Sequence, residues 1–186
     1  MWPKVVIPGV AIVVSIAART PQSTEHTYLL PFPAGDSARL IQGPNGPYGH
    51  TGHAEWAWDF VMPVGSPVTA AKPGVVVTVE ERFADFTRKA GEENFVIVSH
   101  DDSTFARYYH LTINGALVDV GEKVAAGDTI ARSGSTGASA GPHLHFDVTR
   151  GCYRWGCQSI RIGFSNASSD SLVAGRTYVA APPGRS

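Results

Sequence analysis

A chain of 186 residues with a formal charge of −1 has the length of one ordinary domain and lacks the excess of cations that marks a nucleic-acid partner. Its 43% hydrophobic and 17% charged residues exclude a disordered chain and match a globular one able to bury about 70% of its unfolded surface. The 20 glycines and 13 prolines lie between short β-branched runs, which favours many strands joined by turns over long helices.

The chain opens with one basic residue, Lys4, followed by an uncharged run of 14 residues, 5–18. That run is shorter than the roughly 20 residues a membrane span requires. With small residues at Ser15, Ala17 and Ala18, it has the grammar of an export signal, residues 1–18, cleaved near Ala17 or Ala18. Pro3 and Pro8 are unusual in such a signal, and an uncleaved anchor or a buried helix is the other reading. Cleavage removes Lys4 and no acid, moves the formal charge from −1 to −2, and leaves no segment expected to stay in a membrane. Residues 19–45 form a turn-rich lead-in broken by Pro31, Pro33, Gly35, Gly43, Pro44 and Gly46.

Regular structure is expected from Trp56 onward. Residues 75–79 and 95–99 are β-branched strands; Asp101, Asp102 and Ser103 form a turn before a strand over 105–111; and Gly121 and Gly127 bound loops ahead of a strand over 129–132. The small residues 134–141 read as a flexible loop leading straight into a strand that carries His143 and His145. A phosphate-cradling role for that loop is disfavoured, because no Lys with Ser or Thr follows its glycines. Cys152 and Cys157 are spaced as a tight hairpin would bridge them, and two thiols alone fall short of the four ligands of a structural zinc site. Export and a disulfide support each other. Residues 167–186 form a tail that ends in Pro182, Pro183 and Gly184.

Alternation along a strand puts His143 and His145 on one face and Leu144 in the core. The two imidazoles can supply two metal ligands, or one ligand and one neighbouring acid or base, although an H-x-H by itself is a weak signal. Asp59 lies among Trp56, Ala57, Trp58, Phe60 and Val61, where alternation separates the two Trp from Ala57, Asp59 and Val61. A carboxylate among apolar neighbours requires a cation, a metal or several donors. His50 and Asp59 with one downstream imidazole make a two-nitrogen, one-oxygen set that suits zinc and leaves a position open for water. No H-E-x-x-H occurs, so the proton must be handled by an imidazole beside the metal and not by a helical Glu.

At these residues the chain resembles the lysostaphin-type, or LytM-like, zinc endopeptidases over roughly residues 30–166. Four blocks recur in the family's order: 42–50 with 56–63 and 65–70; Tyr109, His110 and Leu111; 120–127; and 134–146. The resemblance implies a mainly β fold, with antiparallel sheets packed around a groove and a peptidase domain over 46–166. It further implies one zinc ion held by His50, Asp59 and His145, with a zinc-bound water as nucleophile. His143 is then the general base and His110 the stabiliser of the oxyanion, two roles that can be exchanged. Many members have three residues between the first His and the Asp, whereas eight lie between His50 and Asp59. In a longer-spaced subgroup the His follows a Gln-Gly-x-Asn-Gly segment, as His50 follows Gln42, which favours His50 over His53. His53 is then a rim residue, and His26 and His100 are structural or exposed. The implied substrate is the peptide cross-link of bacterial peptidoglycan, with small side chains suiting a narrow groove, and the implied location is periplasmic or secreted. The competing reading is a non-catalytic peptidoglycan-binding or amidase-activating module on the same fold; such modules have lost ligands, whereas all five residues are present here.

Overall fold

The computed structural model describes residues 27–169 and 171–182. The expected export signal and His26 lie outside them. Among the described residues the chain forms β1 (Thr27–Tyr28), β2 (Ser37–Gln42), β3 (Trp58–Val61), β4 (Pro67–Thr69), β5 (Gly74–Glu80), β6 (Phe95–Ser99), β7 (Thr104–Tyr109), β8 (Leu111–Ala116), β9 (Lys123–Val124), β10 (Thr129–Ser133), β11 (Leu144–Arg150), β12 (Gly163–Phe164) and β13 (Thr177–Val179). The helical content is one short 3-10 turn at Gly52–Ala54. No helix among these residues is long and apolar enough to cross a membrane.

Eight strands form the main sheet in the order β13-β2-β3-β11-β7-β6-β5-β9, and a second sheet holds β4-β10-β8. Pairing is antiparallel in both; β1 and β12 make a separate parallel pair. Alternation sends Trp58 and Phe60, Val96 and Val98, Ala106 and Tyr108, and Leu144, Phe146 and Val148 into one core with Val68, Leu111 and Ile130. Their neighbours Asp59, Ile97, Arg107, Tyr109, His145 and Asp147 take the other face of the main sheet.

Four expectations change. The lead-in contributes β2, a full strand with Ala38, Leu40 and Gln42 buried, paired to β3. The tail contributes β13, the edge strand beside β2. The strand expected over 105–111 is two strands, broken at His110 by a positive φ of 63°. The fourth change concerns the loop over 134–141, expected to be flexible, which hydrogen bonds pin: Ser135 N donates to Asp85 Oδ1 at 2.6 Å, Ala138 N to Glu93 Oε1 at 3.1 Å, and Thr136 Oγ1 both accepts from Asn94 N and donates to Leu111 O at 2.9 Å. A Cβ on Gly134 would lie 2.4 Å from Thr112 N, so the loop packs where only glycine fits.

Candidate metal centre

Three donor atoms from three elements converge on the open face of the main sheet. Asp59 on β3 and His145 on β11 are register partners, and His145 Nδ1 is 2.9 Å from Asp59 Oδ1. His50, on the loop between β2 and β3, brings its Nε2 to 3.1 Å from the same oxygen and 3.3 Å from His145 Nδ1. Ligand atoms of His50, Asp59 and His145 all lie within 4.8 Å of one another.

The loop that delivers His50 is organised by Gln42. Its side-chain amide donates to Tyr48 O at 2.6 Å and accepts from Tyr48 N at 2.8 Å, and Nε2 also donates to Asp59 Oδ2 at 3.1 Å. A Cβ on Gly46 would lie 2.1 Å from Gln42 Cγ, which accounts for the glycine in that segment. His50 Nδ1–H donates to Gly43 O at 2.9 Å, leaving Nε2 as the electron-pair donor aimed at the centre.

His143 and His110 flank the group. His143 precedes the first residue of β11 and forms an isolated bridge with Gly134, so it lies just outside the strand expected to hold it. Its Nε2 is nevertheless 3.9 Å from Asp59 Oδ1, on the same side as His145, and Leu144 is buried between them as alternation requires. His143 Nδ1–H donates to Gly141 O at 2.8 Å, and His110 Nδ1–H to Thr136 O at 2.7 Å. The two rings lie 4.6 Å apart between centroids.

His53 is elsewhere. It belongs to the 3-10 turn, and its ring packs at 5.0 Å on Trp155, outside the three-donor group.

Two further residues support the centre and were not singled out from the sequence. Asp147, two positions beyond His145 on the same face of β11, faces His145 Nε2 at 3.6 Å. Arg107, 2% exposed, grips Asp147 through Nε and Nη2, both at 2.6 Å, and donates from Nη1 to Arg154 O at 3.0 Å. A carboxylate behind a ligating imidazole fixes its ring orientation. The signals available were the His145–Asp147 spacing of two and an Arg in alternation with Tyr109. Cys152 and Cys157 are joined in a disulfide that closes the Arg154 loop.

The electrostatics follow the geometry. Burial pushes the Asp59 carboxyl up, but the imidazoles of His145 and His50 against it outweigh this and hold the carboxyl well below its usual range. Burial pulls His145 down, yet the carboxylates of Asp147 and Asp59 prevail and raise it to about 9. Burial also raises Asp147, which His145 and Arg107 bring down to about 2. His110 is lowered to about 3 by burial and by the neighbouring imidazoles of His143 and His145. Two nitrogens and a carboxylate oxygen within contact of one another need a proton or a cation between them, and the donor types are those of a catalytic zinc site with an open position.

The profile of peptidase family M23 matches residues 53–156. The chain is 40% identical over 90 residues to the peptidoglycan DD-endopeptidase ShyA of Vibrio cholerae, covering 48% of this chain and 19% of that protein. It is 37% identical over 103 residues to lysostaphin of Staphylococcus simulans, covering 54% and 20%. The matched segments thus span about a fifth of those relatives' lengths. Among solved structures, a variant of the catalytic domain of the prophage-encoded M23 protein EnpA from Enterococcus faecalis superposes with a TM-score of 0.54 at 25% identity, covering 67% of this chain and 88% of that one.

Proposed function

The chain belongs to peptidase family M23, and we propose that it is an exported zinc metalloendopeptidase that hydrolyses peptide cross-links of bacterial peptidoglycan. The observation that carries this reading is the convergence of His50, Asp59 and His145, with His143 and His110 ranged against them. The names of the relatives ShyA and lysostaphin, the former a peptidoglycan endopeptidase by its description, support the substrate class. The uncharged run over 5–18 supports export. The peptidase unit is taken as residues 46–166, although β2 and β13 of the flanking segments belong to its main sheet.

His50, Asp59 and His145 would hold one zinc ion, which when bound would supply a Lewis acid for the scissile carbonyl and lower the pKa of water toward neutrality. The chain's own residues then manage orientation and protons. Gln42 fixes Asp59 through its second oxygen, and Asp147 fixes the ring of His145. His143, its Nδ1–H tied to Gly141 O, presents Nε2 as a proton acceptor toward the centre. His110, held near 3, is too weak a base to begin the reaction. Its ring stands 4.6 Å from that of His143 between centroids. With its Nδ1–H tied to Thr136 O, His110 would act as oxyanion stabiliser by donating from Nε2 once that nitrogen has received the proton His143 takes from water.

The test is release of soluble peptides from purified peptidoglycan by the mature chain with zinc, with chelator, and with His50→Ala, His53→Ala and His143→Ala. Zinc-dependent release that His50→Ala and His143→Ala abolish and His53→Ala retains is expected. Bound zinc without release would replace this reading with the non-catalytic module.

A further inference from the structure

Beside the metal centre, on the same face of the main sheet, lies a cavity of about 770 Å³. Its floor is Phe95, Ile97 and Tyr109, and one wall is Tyr153 and Trp155 from the disulfide-closed loop. Tyr109 is shared with the centre, since its ring stands 5.9 Å from that of His145. The opposite side includes Ala138, from the pinned loop that leads into His143. The cavity therefore adjoins the site of cleavage proposed above across the ring of Tyr109.

This is much more space than a run of glycines or alanines fills, and its volume lies in the range of about 300–1,000 Å³ typical of pockets that enclose whole ligands. Its chemistry is apolar. The one acid on the lining, Glu93, has its carboxylate oxygens taken by the amides of Gly91 and Ala138, so it does not call for a cationic ligand. The one cation on the lining, Arg154, disfavours a basic one. Trp155 is 75% exposed although the loop carrying it is closed by a disulfide and held by Arg107 at the Arg154 carbonyl. An exposed indole carried by a disulfide-closed loop at the lip of an apolar cavity is suited to cover a ligand.

We infer that this cavity is a substrate subsite for a bulky apolar side chain, aromatic or long aliphatic, next to the scissile bond. Beyond the cross-links proposed above, the chain therefore also takes peptides bearing such a residue, and cleaves them faster than otherwise equal peptides of glycine or alanine alone. The inference rests on the peptidase reading, and its test separates the two.

Blocked pentapeptides with glycine at four positions and Gly, Ala, Leu, Phe or Lys at the variable one are offered to the zinc-loaded full chain for kcat/KM. The same peptides are titrated against the zinc-loaded His143→Ala chain for Kd, read from tryptophan fluorescence or calorimetry. Leu and Phe are expected to exceed Gly and Lys by about tenfold or more in both measurements, the scale of filling an apolar pocket. Trp155→Ala should erase most of that preference, in kcat/KM and in Kd alike. Equal constants across the series, or a preference untouched by Trp155→Ala, overturn the subsite while leaving the peptidase in place. A Kd preference with no hydrolysis of any peptide upholds the subsite and overturns the peptidase reading.

Discussion

His100 and three histidines at the candidate metal centre, His50, His110 and His143, are held alike and face different things. His50, His110, His143 and His100 each donate Nδ1–H to a backbone carbonyl, those of Gly43, Thr136, Gly141 and Pro73 respectively, at 2.7–2.9 Å. His50, His143 and His100 are all buried. At the centre the remaining nitrogens of His50 and His143 approach one carboxylate oxygen, Asp59 Oδ1. His100 Nε2 meets no hydrogen-bond partner among the described residues, and its ring packs edge-on against Tyr28. A buried, anchored imidazole is thus common to both regions. What separates the candidate centre from a packing residue is the convergence of the second nitrogens of His50 and His143 on Asp59.

The largest expected effect breaks the convergence itself. His50→Ala or His145→Ala should abolish zinc retention, measured by metal analysis after gel filtration, and reduce hydrolysis to that of the chelated chain. Next, His143→Ala should keep its zinc and lower kcat by about 10²–10⁴, the usual contribution of a general base. Asp147→Asn should weaken zinc affinity by about 10–100-fold in a chelator competition, because it removes the charge that orients His145. An unchanged affinity there would mean that the ring is held by strand packing alone.

The smallest effect belongs to His100, where His100→Gln should leave hydrolysis and zinc affinity unchanged and alter only the pH dependence of stability. Burial, opposed by the Pro73 hydrogen bond, lowers the His100 pKa. The unfolded chain therefore binds this proton more readily than the folded one. The stability contributed is complete above the unfolded value, about 6.5, and is lost as pH falls below it toward the folded value. Thermal melts of the wild type should show an extra loss of at most about 1.4 kcal/mol per pH unit in that window, absent from His100→Gln. A parallel pH profile in the two chains would mean that His100 is already charged in the fold.

Much of this was legible in the residues. The runs over 75–79 and 95–99 lie within β5 and β6 because β-branched residues suit a half-buried pleated surface. The H-x-H pair and Asp59 meet as alternation and chemistry required. β2 was hidden because Gln42 takes one of its three inward positions and prolines and glycines lie on either side. β13 buries one side chain, Tyr178, too few for a period to register. The break at His110 depends on one non-glycine residue in left-handed backbone, which no pattern announces. The Arg107–Asp147 pair needs the β7–β11 register, which joins residues 40 apart in the chain. The apolar cavity beside the centre was not legible, because Tyr153 and Trp155 reach its wall on a loop whose course is a tertiary matter.

The position of β11 in the main sheet also bears on when the centre comes into being. β11 enters between β3 and β7, and the atoms it joins are far apart in the chain, His145 lying 86 residues from Asp59 and 95 from His50. Pairings of such separation close late, after the local hairpins β5–β6 and β6–β7, because the loop entropy must be met before the contacts form. A nascent or unfolded chain accordingly carries its donors dispersed. The three donors are therefore brought together only where β11 pairs with β3, so assembly of the candidate centre requires the central strand in place.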